Sequence, residues 1–540
     1  MSIEVVREPI PGWPEWVDQT EFRVKDGRDP LGLETVTTDR IIPDLVPGIL
    51  ALSQRARYFS FHLFLLDEYA RRRLDPTYAS QSAFFRMREY EFGAAVLLCS
   101  RCGSTAAPVG SQSLRGIVRR AVDQVERGVS VDSDYGGYGL YYRTPLRDLG
   151  LVIVSGTEVA GEALPVDIVA GPRARAIAEA FRSAIAETDY YQHHFIGDDP
   201  IPLDVLRGYS NEACLCRLND HVNESDLVRS AILTESAGLN ANEVRRRREA
   251  FAIRLRLAQA RPQLLINEAE QRRTTWAEFE ALNRDERSHW GEAVQRWAAL
   301  YGKEYFQEAL LILWRQVNRI GRERSPVEGL RPRDFLTLFD EDVSSGEFEL
   351  AGQMFTVDGG EPSRALYERT TAVSRSLSLE DIRSWAVETN GTCLAALVLL
   401  FSLQARVPRP GEIPADSGWY QVATEGGNNQ PGLASFAAQL RQHLDGEPTV
   451  SDTLGWLTRR FILVAHERIA TGKLPDFTFR FRIEEGRLRF FTRPGVDFGL
   501  ADSRHSALVT LARDLGFWDL RDGVPSVTSA GARFVVETFE

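Results

Sequence analysis

The sequence predicts a mainly α-helical, multi-domain protein with small β elements, winged-helix-like modules and an Arg-rich β-hairpin near the C-terminus. Three observations lead there. The chain has 540 residues, more than one hydrophobic core organises, so several domains are expected. Apolar residues recur at helical spacing through most of its length. A pattern of helix, Leu-Gly-apolar, short hairpin and second helix occurs twice, over 146–185 and 511–539.

Taken in order, the first fifty residues are rich in Pro, Gly and Trp, with turn signals at Pro11-Gly12, Asp29-Pro30 and Pro47-Gly48. Tyr58, Phe61, Leu65 and Tyr69 then mark a helix with an aromatic face. His62 beside them reads as a packing histidine. A second helix is expected over Ser82 to Leu98, completing a helical region 1–110. The segment 111–190 is read as winged-helix-like. Leu146-Arg-Asp-Leu-Gly-Leu151 leads into a strand at Val152 to Val154, and Gly171-Pro172 opens a helix to Ile185.

The region 191–335 reads as helical, with Asn242 to Ala260 placing Val244, Phe251, Leu255 and Ala258 on one face. The run Arg245 to Arg248 is bracketed by Glu243 and Glu249, so a solvated face is expected. Trp276, Phe279, Leu282, Trp290, Trp297 and Trp314 mark further packed helices, and Arg322 to Pro332 reads as a linker. The mixed region 336–450 holds a small β excursion within 340–361, a buried helix or helix pair over Glu380 to Leu403, and a long polar loop from Pro408 to Pro431. The last part, 451–540, carries the hairpin and the second winged-helix-like module, whose Ala530-Gly531 enters the closing helix.

Composition narrows the function classes. Hydrophobic residues at 43% and charged residues at 26% describe an ordinary globular chain. A net charge of -12 argues against indiscriminate binding to nucleic acid or anionic membranes. The longest uncharged apolar run, Cys393 to Leu403, is too short to span a bilayer, and the start Met1-Ser2-Ile3-Glu4 shows no secretory pattern. A cytoplasmic, non-membrane protein is the expectation. Lys25, Lys303 and Lys473 are the only lysines, and none completes a phosphate-binding P-loop.

Five cysteines in a chain of this size point to reduced thiols. Cys99-Ser-Arg-Cys102 is a C-x-x-C and Cys214-Leu-Cys216 a C-x-C. Packed thiols are the preferred reading. One structural zinc held by Cys99, Cys102, Cys214 and Cys216 is the alternative, and it is the one cofactor the sequence leaves open.

His193, His194, Asp198 and Asp199 gather metal-ligand types in one stretch, but adjacent histidines rarely share a metal, and a loop ending a helix is the preferred reading. His466-Glu467 lacks the second histidine of H-E-x-x-H, the position being Ala470. Gly110-Ser-Gln-Ser-Leu-Arg-Gly116 is not a nucleophile elbow. A nuclease pattern beginning at Pro475-Asp476 fails because alternation over Phe477 to Phe490 puts Glu485 in a hairpin turn. That hairpin pairs Glu484 with Arg487 and Arg482 with Arg489, while Arg480 and Arg493 add charge nearby. Like charges facing across strands call for an anion. The preferred one is a carboxylate of the same chain, such as Asp497 or Asp502. The alternative is a nucleic-acid backbone lying on Arg480, Arg482, Arg487, Arg489 and Arg493.

Four segments together, Arg55-Ala-Arg-Tyr-Phe-Ser-Phe, Cys214-Leu-Cys-Arg-Leu, His466-Glu-Arg-Ile-Ala-Thr-Gly-Lys473, and Arg504-His505 before Leu515-Gly516, resemble uncharacterised bacterial proteins encoded in multi-gene anti-phage defence clusters. The resemblance implies a subunit acting with proteins encoded nearby, an ATPase or a nuclease, and assigns no catalytic residue. The expectation is a non-enzymatic subunit recognising nucleic acid or a partner protein through its winged-helix-like modules. A metal-dependent nuclease or hydrolase built around His193, His194, Asp198 and Asp199 is one alternative, and a pure scaffold another.

Overall fold

Helices make up 62% of the computed structural model, and its β structure is confined to two-stranded sheets among the described residues. Those residues are 23–24, 27–102, 107–234, 240–282, 287–427, 430–491 and 500–540. No described helix is long and apolar enough to cross a membrane. The chain divides into two units, one of residues 1–39 and 298–501, the other of residues 40–297 and 502–540.

In the second unit, the aromatic helix Arg57–Arg71 is buried along almost all its length and packs on the helix Gly171–Ile185. His62 sits among these rings, with Nε2 2.8 Å from Glu89 Oε1. Glu89 also accepts the Gly137 and Tyr138 backbone N–H groups, so the imidazole is a held core group, as its setting predicts. The second helix starts earlier than its apolar pattern suggests and runs Tyr78–Leu97, because the Thr77 side chain caps it.

The repeated pattern has one backbone plan in both places. The helix Arg143–Asp148 ends with Gly150 at φ 67°. The Gly150 N–H donates to Arg147 O, and the Leu151 N–H reaches back to Leu146 O. The helix His505–Asp514 ends identically, with Gly516 at φ 78°, Gly516 N–H to Arg513 O and Phe517 N–H to Ala512 O. Glycine is needed there because this cap requires the left-handed conformation. Antiparallel pairing follows, Val152 with Val169 in the first copy and Trp518 with Val527 in the second. The Ala170 N–H closes the first hairpin onto Leu151 O, and the Thr528 N–H closes the second onto Phe517 O, both at 2.9 Å. The helices Gly171–Ile185 and Ser529–Phe539 then begin.

The Ser529–Phe539 helix buries Phe534, Val535 and Phe539 and packs on the helix Ala241–Ala260. That helix corrects the expectation of a solvated arginine face. Arg247 is fully buried and donates to Pro47 O and Ile232 O, while Arg246 pairs with Asp44. Arg248 reaches Leu233 O and lies over the Phe534 ring. A guanidinium tolerates burial when its fixed donors meet backbone carbonyls.

In the first unit, the helix Cys393–Arg406 is buried from Cys393 to Gln404. Gly391, at φ 60°, separates it from the helical turns Leu379–Ser384 and Trp385–Asn390, so the expected helix pair is present. The β excursion is the hairpin Gly346–Leu350 with Gln353–Val357. The stretch 408–431, expected as a loop throughout, contains a short helix Gly418–Ala423 anchored by fully buried Trp419. The arginine hairpin has the predicted register: Phe481–Glu484 pairs with Arg487–Phe490, placing Arg482 opposite Arg489 and Glu484 opposite Arg487. Its two-residue turn, Glu485 at φ 52° and Gly486 at φ 73°, is of the kind that suits twisted strands.

Candidate metal centre

The two cysteine pairs come from two packed helices. Cys99 and Cys102 follow the Tyr78–Leu97 helix, whose last turn closes through Leu98 N–H to Ala95 O and Cys99 N–H to Val96 O. Cys214 caps the Leu203–Ala213 helix in an extended conformation (φ -56°, ψ 145°), and the 3-10 turn Leu215–Asp220 carries Cys216. These two helices pack side by side, so their C-terminal ends bring the pairs together.

All four Sγ atoms lie within 4.8 Å of one another. Cys102 Sγ is 3.4 Å from Cys214 Sγ, Cys99 Sγ is 3.7 Å from Cys216 Sγ, and Cys214 Sγ and Cys216 Sγ are 3.6 Å apart. None of these is a disulfide. Four sulfurs around a zinc at ~2.3 Å stand about 3.8 Å apart in a regular tetrahedron. The cluster therefore has the size of a Cys₄ zinc site with little adjustment. Among the described residues, no other group of three or more His, Cys, Asp or Glu side chains converges in this way.

The surroundings hold the frame. Buried Arg57 donates to the carbonyls of Glu212 and Cys214 and pairs with Glu224 at 2.9 Å, while Ser60 donates to the same carboxylate. Arg101 donates to the Cys216 carbonyl at 3.2 Å and pairs with Asp220 at 2.9 Å. Cys99 and Cys214 are buried, whereas Cys102 and Cys216 are half-buried. Hydrogen bonding from Cys102, then from Cys214, holds the Cys216 thiol well below the ordinary range, and Arg101 adds to this. Cys214 is pushed the other way by its bonds to Cys102 and Cys216 and by burial. A zinc ion held here would take the sulfurs as thiolates, the form that binds metal. Four sulfurs converging on one point fit the zinc alternative of the sequence reading as well as its packed thiols. Cys393 stands apart in the apolar helix of the other unit, its thiol pushed up by burial.

The other sequence candidates fare differently. His193 Nδ1 lies 2.8 Å from Asp189 in an exposed turn, and His193, His194, Asp198 and Asp199 form no ligand cluster. Glu485 is in the hairpin turn, and Asp476 pairs in register with Arg23, so no nuclease arrangement forms there. Among the described residues, in place of the suggested Asp502, the anion between the facing arginines is Glu484, a carboxylate of the same chain as preferred. Its carboxylate is 3.1 Å from Arg489 and 3.8 Å from Arg482. Asp502 accepts the Arg504 backbone N–H, and Asp497 lies outside the described residues. Arg487 donates to Gly329 O, Arg480 is 7% exposed, and Arg493 also lies outside the described residues.

No protein-family model, curated protein or solved structure matches the chain.

Proposed function

We propose that this chain is a zinc-stapled, non-enzymatic subunit of a bacterial multi-protein system of the anti-phage defence type. It acts in the cytoplasm, and its two winged-helix-like modules dock a protein encoded beside it, an ATPase or nuclease subunit. The observation that carries the reading is the four-sulfur cluster. A Cys₄ set fills every position of a tetrahedral zinc and leaves none for a substrate or activated water, which is the pattern of structural sites.

The modules support a protein partner over a phosphate backbone. The apolar side of the Ser529–Phe539 helix is covered by the Ala241–Ala260 helix, and the side left exposed carries Arg533, Val536, Glu537 and Glu540. Two carboxylates there disfavour phosphate, while an exposed valine among charges suits a protein contact.

Co-expression with the neighbouring gene products tests this. A stoichiometric complex is expected on gel filtration, lost in Val536→Asp/Glu537→Arg with the variant's own melting unchanged. A complex that survives this change, or a module that instead binds duplex DNA with strong salt dependence, overturns the docking surface.

A further inference from the structure

The helix from Val450 to Gly472 is interrupted by a π-helical segment, Thr458–Leu463. Such a segment inserts a residue into the helical register and re-aims the side chains that follow, an arrangement frequent at functional sites. Phe461, Ile462 and Leu463 turn inward here, and Arg459, Arg460, Val464 and Arg468 face solvent. Phe461 and these four exposed residues, together with Trp456, Gly427, Gln430 and Pro431, line a cleft of about 540 Å³.

Three features of this cleft belong to ligand recognition. Its described lining holds three arginines and no carboxylate. Among the described residues none of these arginines forms an ion pair, although Arg460 lies over the Phe461 ring. The helix's own acids are engaged elsewhere: Asp452 caps its first turn, and Glu467 accepts the Ile483 N–H at 3.1 Å. In a chain of net charge -12, three uncompensated cations around a concavity focus positive potential.

Gln430, only 3% exposed, donates Nε2 to the Phe461 carbonyl at 3.0 Å, and its Oε1 has no partner among the described residues. A buried acceptor of this kind asks for a donor. Trp456, stacked on His443 at 4.3 Å, gives the cleft a rigid aromatic wall.

We infer that this cleft binds the phosphate groups of a nucleotide, free or within a single strand, with Arg459, Arg460 and Arg468 on the phosphates. Guanidinium groups match phosphate oxygens geometrically, and a nucleotide also supplies the N–H and O–H donors that Gln430 lacks. The inference is independent of the zinc centre, which lies in the other unit.

The test uses the full chain with two probes, ATP by calorimetry and a fluorescent ten-nucleotide oligothymidine by anisotropy. The wild type is expected to bind at least one with sub-millimolar affinity that weakens as salt rises. ATP binding identifies a free nucleotide, and binding of the oligonucleotide alone identifies a strand. Arg459→Glu/Arg460→Glu is expected to lose at least tenfold, and to flatten the oligonucleotide's salt slope by about one to two. Arg175→Glu, an exposed charge reversal in the other unit, is expected to bind as the wild type does. Arg459 and Arg460 are exposed, so melting of the double variant reports that it folds. Binding of neither probe, or equal binding by wild type and double variant, overturns the inference.

Discussion

Gly531 lies directly against the Phe517 carbonyl: a Cβ on Gly531 would stand 2.1 Å from that oxygen. The contact fixes where the closing helix meets the hairpin, and the Thr528 side chain accepts the Gly531 N–H at 3.1 Å to cap the same turn. The obstructing atom is backbone, so it cannot move aside without opening the hairpin.

Gly531→Ala is therefore expected to destabilise the unit by about 1–3 kcal/mol, despite alanine's better helix propensity. Urea denaturation of the variant measures this, and a neutral or stabilising result removes the contact from the account of the module.

Glu484 is expected to hold Arg482 and Arg489 together across the arginine hairpin. Glu484→Gln leaves the two cations facing each other and should cost roughly 0.2–1 kcal/mol at low salt, fading as salt is added. Restoring stability with Arg489→Thr in the same background confirms the repulsion. If Glu484→Gln is silent at low salt, the pair is solvated and needs no anion.

Acid sensitivity follows from two buried imidazoles. His466 Nδ1 donates to Pro30 O at 3.1 Å and Nε2 accepts the Arg480 N–H at 3.0 Å, an arrangement only the neutral ring can make. Burial pushes it down to about 3, and the Arg480 and Lys473 charges act in the same direction. His505 is likewise pushed down to about 3, by burial and then by Arg254 and Arg272. The unfolded state, with ordinary histidines near pH 6.5, binds more protons than the folded one between about pH 6.5 and 3. Stability is thus complete above about pH 6.5 and is lost as the pH falls, by about 1.4 kcal/mol per pH unit for each ring. Thermal midpoints at pH 7, 6 and 5 should fall in the wild type and fall less steeply in His466→Gln. Equal slopes in both would show that His466 takes no part.

Much of this fold was legible because its signals are local. The Leu-Gly-apolar step reads directly as a helix cap, since Gly150 and Gly516 alone in their segments supply the left-handed conformation there. Alternation fixed the register of Phe481–Glu484 against Arg487–Phe490. What escaped depends on tertiary contact. Arg247 looks solvent-bound beside three other arginines, and only the carbonyls of Pro47 and Ile232 make its burial affordable. A same-chain carboxylate is legible as the hairpin anion, but which one is not: Glu484, two residues from Arg482 on the same face of the strand, takes the role for which Asp497 and Asp502 stand as examples. The short helix Gly418–Ala423 hides in a Pro- and Gly-rich stretch because it is held by Trp419 and not by an amphipathic pattern.

The four-sulfur cluster was half legible. Each cysteine pair is visible in the sequence, but 112 residues separate Cys102 from Cys214, and their approach depends on two helices packing with their ends together. Metal binding there should report on folding. Cys99→Ser or Cys214→Ser is expected to lower the thermal midpoint by roughly 5–10 °C, because a structural zinc contributes its binding energy to the folded state. Cys393→Ser should leave the metal content unchanged.

Metal analysis of the purified wild-type chain, beside Cys214→Ser, tests the zinc centre most directly. One zinc per chain is expected in the wild type, resistant to dialysis, and a small fraction of that in the variant. A wild type free of zinc, with all four thiols titrating and melting unchanged by added zinc or by a strong chelator, would contradict it.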